Sequence, residues 1–168
     1  MAWTSPPFAL FVLAEVDVEV STHLTHVRSR TEATQVINQV LQQASIVTAE
    51  FWLATASYED APKWSKEMAN LGTEPPVSKE WKSPFINYKA EDVAKWLKGK
   101  PDGVDLDSQH FAVLDANTVE DKKILVFKIG DIDRKGHELD SFRFDPQRAA
   151  GFLAGLEWGE WEELKGAG

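Results

Sequence analysis

The fold is decided by residues 110–156, HFAVLDANTVEDKKILVFKIGDIDRKGHELDSFRFDPQRAAGFLAGL, in which three short apolar runs precede a helical pattern. The run KILVFKI (123–129) is almost continuously apolar, which is typical of a strand covered on both faces. HFAVLD (110–115) precedes it closely enough to pair with it as a hairpin. SFRF (141–144) alternates apolar and polar residues, which indicates a strand covered on one side.

A helix is predicted to follow these strands. Asp145 is a favoured N-cap residue, and Pro146 fits the first helical position because the N–H that it lacks would have no partner there. Apolar residues then repeat at helical spacing, at Ala149, Phe152, Leu153 and Leu156.

The earlier chain alternates between strand and helix patterns. Strands are predicted over 8–20, 46–55 and the short run FINY (85–88), and helices over 29–44, 60–71 and 90–98. Residues 21–30 fit either a hairpin arm or a loop. This order predicts an α/β fold on the border of α+β, with a mixed sheet of about six strands and helices packed on it. A chain of 168 residues suits one globular domain, 1–168, with an N-terminal strand and helix in 1–45.

The composition excludes several classes of function. The net charge of −9 argues against nucleic acid and anionic membrane surfaces as partners. The absence of cysteine excludes disulfides, thiolate nucleophiles and cysteine-based zinc sites. Phe8–Ala14 lacks the preceding basic residue of a signal peptide, and Val16, Val18 and Val20 alternate with acids, so we expect a strand there. A cytoplasmic protein is expected.

Two parts of the chain together resemble a small domain family of unknown function found in actinobacteria and fungi. They are LATASYEDAPKW (53–64) and the series HFAVLDANT, ILVFKI and FRFDP followed by a helix and an acidic–aromatic tail. The resemblance covers residues 46–164. It implies the fold and carries no activity. Thr55 and Ser57 depart from the pattern, because Arg and Asp would be expected in that turn.

Polar residues at the predicted strand ends are candidates for catalysis. Four polar residues lie at the ends of strands that are predicted to be neighbours: His110, Asp115, Arg143 and Asp145. Sheet ends carry sites in α/β folds. A carboxylate beside His110 or Arg143 would serve as a general acid or base. The alternative is a set of surface ion pairs, with Asp145 acting as a helix cap.

No metal and no organic cofactor are predicted. His23 and His26 would share a face only in a helix, and this segment lacks helical periodicity. DIDRKGHELD (131–140) departs from a calcium loop, because Phe142 stands where a bidentate glutamate belongs. Asp102, Asp105 and Asp107 fit a solvated loop better than a cation site.

The seven tryptophans are the most unusual feature of the composition. Tryptophan combines a large apolar ring with one N–H donor, so several together suit the wall of a ligand pocket. The alternative is core packing, which the helical spacing favours for Trp64 and Trp96. We expect the tail tryptophans to dock near the loop of Trp81 and close a pocket. The predicted ligand-binding residues are Trp52, Trp81, Trp158 and Trp161.

Three functions remain open from the sequence. The first is binding of an apolar small molecule or a protein partner through an aromatic surface. The second is a small enzyme without metal or cofactor, such as an isomerase, cyclase or lyase acting on an apolar substrate, with His110, Asp115 and Arg143 as catalytic residues. The third is an accessory subunit that docks through its tail. A monomer or a homodimer is expected in each case.

Overall fold

A computed structural model describes residues 6–16, 21–22, 25–26, 30–45, 51–63, 72–130, 139–155 and 161–166. The strands are β1 Phe8–Val12, β2 Ser21–Thr22, β3 Thr25–His26, β4 Phe51–Leu53, β5 His110–Leu114, β6 Ile124–Ile129 and β7 Leu139–Phe144. The helices are α1 Arg30–Ala44, α2 Ala90–Lys98, α3 Thr118–Asp121, α4 Pro146–Gly155 and α5 Trp161–Gly166.

The main sheet is mixed and has five strands in the order β4-β1-β5-β6-β7. β1 pairs in parallel with β4 and β5, while β6 is antiparallel to both β5 and β7. β2 and β3 pair antiparallel as a separate two-stranded sheet, so residues 21–22 and 25–26 pair with each other and not with β1. The prediction of a mixed sheet with helices packed on it is confirmed.

The predicted count of about six strands slightly exceeds the five that the main sheet has among the described residues, and FINY (85–88), predicted as a strand, is a turn. Tyr88 N–H donates to the carbonyl of Phe85 at 3.0 Å, and Asn87 has φ of 66°, outside the extended region. Two other boundaries also differ. β1 ends at Val12 rather than at 20, although 17–20 lie outside the described residues. The helix predicted from Asp60 does not begin there, because Lys63 forms a β-bridge with Val104; residues 64–71 lie outside the described part.

The helices cover the two faces of the sheet unequally. On the first face, even-numbered residues of β1, β5, β6 and β7 pack against α1, α4 and Trp161 of α5. On the second face, odd-numbered residues of β1, β5 and β6 pack with Val93, Ala94 and Leu97 of α2. Because successive side chains of a strand point to opposite faces, each of these strands contributes residues to both cores. Their sequences are therefore apolar at nearly every position.

Local signals position the helices as the sequence predicts. The Asp145 carboxylate accepts the backbone N–H of Gln147 at 2.9 Å, which confirms it as the cap of α4. Gly99 ends α2, and its N–H donates to the carbonyl of Lys95 at 3.0 Å.

The outer edge of β4 is covered by the loop that contains Thr73. Thr73 N–H donates to the carbonyl of Phe51 at 2.8 Å, and the Thr73 hydroxyl accepts the N–H of Leu53 at 2.9 Å. Both bonds use backbone groups that point away from β1. The edge is therefore occupied by the chain's own loop.

Candidate functional site

Three polar residues interrupt the apolar first face at the end of the sheet where β5 begins. His110 lies directly opposite Lys128, and Lys128 lies directly opposite Asp140, across β5, β6 and β7. Residues directly opposite in antiparallel strands share a face, with Cβ atoms about 4.5–5.5 Å apart. We call His110, Lys128 and Asp140 the polar row.

Helix α5 lies over the polar row and is bound to it by Asp140. The indole N–H of Trp161 donates to Asp140 Oδ2 at 2.6 Å, and the Lys165 ammonium donates to Asp140 Oδ1 at 2.7 Å. The Trp161 ring stacks on the His110 imidazole, with centroids 5.8 Å apart, and packs edge-on against Phe142. Only 4% of Trp161 is exposed, so the predicted docking of the tail onto the body is confirmed for this residue.

The charges in this contact keep Asp140 ionised. The hydrogen bond from Lys165 lowers the pKa of Asp140, partial burial opposes the shift, and the Trp161 hydrogen bond supports it. The same bond to Asp140 raises the pKa of Lys165. Because the pKa of Asp140 is lowered on folding, its stabilising contact is complete above the ordinary value of 3.8 and is lost as the pH falls through the folded value.

Asp107 holds the His110 side chain from the loop before β5. Its Oδ1 accepts the backbone N–H groups of Gln109 at 2.7 Å and His110 at 2.6 Å, and lies 3.3 Å from His110 Nδ1. Burial raises the pKa of Asp107, but the hydrogen bonds from His110 and Gln109 outweigh it and leave the pKa below its ordinary value. Asp107 is thus a carboxylate that both fixes the start of β5 and orients the imidazole.

Replacing Asp107 by asparagine is expected to lower the free energy of unfolding at pH 7 by about 1 kcal/mol, because hydrogen bonds to a charged acceptor become bonds to a neutral one. The lowered pKa means that this difference is complete above pH 3.8 and is lost as the pH falls through the folded pKa, which lies below 3.8. Urea denaturation at pH 7 and pH 3 measures both values. Asp102→Asn, an exposed change in the same loop, is the control. An equal gap at both pH values would contradict the charge-based explanation.

A groove of about 510 Å³ opens beside the polar row. It is lined by Lys128, Gly130, Leu139, Asp140, Trp161 and Glu162. Both Asp140 oxygens are already engaged by α5, whereas Lys128 makes no ion pair or hydrogen bond through its side chain within the described ranges. Lys128 lines the groove beside the apolar surfaces of Leu139 and Trp161, with the acidic Glu162 also in the lining.

The predicted catalytic residues lie at two opposite ends of β5 and do not form one site. His110 begins the strand and Asp115 follows its last residue, and five residues of extended chain span about 16 Å. Arg143 pairs with Asp115 and, at 3.1 Å, with Asp121. Asp115 also accepts the N–H and hydroxyl of Thr118, each at 3.2 Å. These contacts connect β7 to the turn around α3. Asp115 and Arg143 therefore form an ion pair, which was the alternative to a catalytic role.

The predicted tryptophan pocket is divided in the same way. Trp52 is buried in the second-face core and stacks with Trp96, with ring centroids 6.3 Å apart, and it is not among the residues that line the described groove. Trp81 packs on the first face, in the loop whose Ser83 hydroxyl donates to the carbonyl of Val12. Val12 pairs with Leu114 at the far end of β5, so this loop lies at the opposite end of the strands from His110. The expectation that Trp161 docks near Trp81 is therefore wrong. Trp158 lies outside the described residues.

Sequence reasoning missed Lys128, Asp140 and Asp107 as parts of a site. A usable signal was present for Lys128, since it has the same parity as Ile124 and Val126, which are buried on the first face. A lysine on a strand face whose other residues are apolar indicates a polar position within the buried surface. Asp107 carried no comparable signal, because its role depends on the turn that brings it back to His110.

The described part of the chain holds no candidate metal cluster and no helix suited to crossing a bilayer. No group of three histidine or acidic side chains suited to a metal ion occurs there. His26 lies in a strand, not in the helix that would let it share a face with His23, which is outside the described residues. Within the same ranges, every helix is too short or too polar to cross a bilayer.

Comparison with known proteins adds no relative. No protein-family model matches the chain, and neither the curated proteins nor the solved structures contain a match. The resemblance over residues 46–164 stays a prediction.

Proposed function

We propose that this chain is a binding domain for a small molecule that carries an apolar, preferably aromatic, part and an anionic group. The groove beside the polar row is the proposed site. The supporting observation is the lining of the groove. Lys128, a cation with no side-chain partner among the described residues, lies there beside the apolar surfaces of Leu139 and Trp161. An aromatic carboxylate matches both features.

The size and charge of the groove favour a small ligand. Ligand sites in proteins have volumes of about 300–1,000 Å³, and this groove lies inside that range. The chain carries a net charge of −9, so its overall field repels anions. A compact anion held by one local lysine is compatible with that field, whereas a polyanion such as nucleic acid is not. A cytoplasmic location is part of the proposal.

A second candidate is a small enzyme that uses no metal or organic cofactor. It is favoured by the Asp107–His110 contact, in which a carboxylate orients an imidazole next to the groove. Among the residues predicted to be catalytic from the sequence, this candidate uses His110.

The binding proposal is tested with a matched pair of probes, 3-phenylpropanoate and 3-phenylpropan-1-ol. They share an aromatic ring and a chain, and differ in charge. We expect the carboxylate to bind about 10-fold more tightly, because only it pairs with Lys128. Nuclear magnetic resonance titration of the Gly130 amide and the Trp161 indole N–H measures both affinities and locates the site.

Lys128→Met should remove the preference for the carboxylate and leave weak binding of both probes. Lys98→Met, an exposed change at the end of α2 under the opposite face, is the charge-matched control and should bind like the unaltered chain. If neither probe shifts the Gly130 and Trp161 signals, or if Lys128→Met keeps the preference, the proposed function is wrong.

A further inference from the structure

The Asp107–His110 contact determines which imidazole nitrogen is left for chemistry. A carboxylate oxygen 3.3 Å from Nδ1 favours the proton on that nitrogen. The lone pair of the neutral ring then lies on Nε2, which becomes the basic nitrogen. The orienting carboxylate also stabilises the imidazolium that forms when Nε2 accepts a proton. His110 therefore has the arrangement of a general base.

Lys128 places a positive charge next to that base. It stands directly opposite His110 in the β5–β6 ladder, so both side chains leave the same face from neighbouring strands. Lys128 lines the groove and has no side-chain partner in the described ranges, whereas the other cation near the row, Lys165, is bound by Asp140. Removing a proton from the carbon next to a carbonyl group requires a base, and a cation stabilises the negative charge that develops on the carbonyl oxygen. A base beside an available cation is the minimal arrangement for this step.

We propose that Asp107, His110 and Lys128 form a proton-transfer site that enolises small aromatic 2-oxo carboxylates. His110 Nε2 takes a proton from the carbon next to the carbonyl. The C–H electron pair forms the C=C bond, and the carbonyl π pair moves to oxygen, where the Lys128 ammonium stabilises it. The imidazolium then returns the proton to oxygen, which gives the enol, or to carbon, so no further reactant is consumed.

The substrate class follows from the proposed ligand, and the inference rests on that proposal. In a 2-oxo carboxylate, the carboxylate and the carbonyl oxygen lie side by side, so one ammonium binds the first and stabilises charge on the second. Asp107 does not reach the substrate and is a positioning residue. Trp161 stacks on the imidazole and leaves 12% of the His110 side chain exposed. A substrate therefore approaches at the part of the ring that stays exposed, beside Lys128.

The test uses phenylpyruvate in deuterium oxide with the full chain. Proton nuclear magnetic resonance follows loss of the methylene signal as deuterium replaces hydrogen, against the same buffer without protein. We expect exchange at least about 100-fold faster than in buffer. His110→Gln and Lys128→Met should return the rate to within a few-fold of buffer, and Lys98→Met should exchange at the unaltered rate. Asp107→Asn should lower the maximum rate about 10-fold without changing the half-saturating concentration, a split that a merely loosened fold would not give.

Binding of 3-phenylpropanoate is measured in parallel for every variant, so that the two proposals fail separately. Binding without accelerated exchange overturns the proton-transfer site and leaves the binding proposal standing. Exchange that survives in His110→Gln also overturns it. Absence of binding overturns the binding proposal and the inference that rests on it. A folded one-dimensional spectrum for each variant shows that a lost rate is not a lost structure.

Discussion

Replacing Phe11 by alanine is expected to lower the free energy of unfolding by about 3–5 kcal/mol. Phe11 is fully buried in β1 at the centre of the second-face core. Its ring meets those of Phe85, Trp96 and Phe111 edge-on, with centroids 5.1, 5.7 and 5.7 Å away. Truncation removes these contacts and leaves a cavity between a strand, a helix and a loop, none of which can close it alone. Urea denaturation at neutral pH measures the loss.

Tyr88→Ala is the matched aromatic control. Its ring also meets Phe85 edge-on, at 5.5 Å, but 48% of the residue is exposed. Because the site is open to water, truncation should create no closed cavity and cost less than about 1 kcal/mol. A loss below about 1 kcal/mol for Phe11→Ala, or equal losses for the two variants, would show that the second-face cluster does not form as described.

The second large effect is expected for Trp161→Ala, at about 3–5 kcal/mol. The change removes the stack on His110, the edge contacts with Phe142 and Phe152, and the hydrogen bond to Asp140. A six-residue helix has little stability of its own, so α5 should detach and expose apolar surface of the first face. Urea denaturation and binding of a hydrophobic fluorescent dye report the two consequences.

Trp161→Phe separates the ring from its N–H. The smaller aromatic ring keeps most of the packing and loses the hydrogen bond to Asp140, so about half of the stability lost in Trp161→Ala should return. Dye binding should stay near that of the unaltered chain. If Trp161→Ala changes neither stability nor dye binding, α5 does not cover the polar row and the His110 ring is open to solvent.

Helices with a clear apolar period were predictable from sequence, because the signal is local. α1 has Val36, Ile37, Val40 and Leu41 buried as the spacing requires, and α4 begins at the capping Asp145. FINY misled because four residues are too few to distinguish a strand from a turn. The left-handed conformation of Asn87 depends on its neighbours in space, since its N–H donates to the carbonyl of Leu13.

The candidate site was only partly predictable, because it depends on strand register. His110 and Trp161 were singled out as separate candidates, yet their contact follows from where α5 lies on the sheet. Lys128 meets His110 only in the observed β5–β6 alignment, and a shift of one residue would place it on the other face. His110 and Asp115 bound the same predicted strand, HFAVLD, so their separation at its two ends could be predicted from the sequence.

The loop over β4 has a consequence for how this chain behaves at high concentration. Unpaired backbone groups along an outer strand are a template on which another molecule can add a strand and begin fibril growth. Thr73 already occupies the outward groups of Phe51 and Leu53 with two hydrogen bonds. A second molecule would have to displace that loop before it could pair there, so strand-by-strand aggregation from this side carries a barrier that folding itself has put in place.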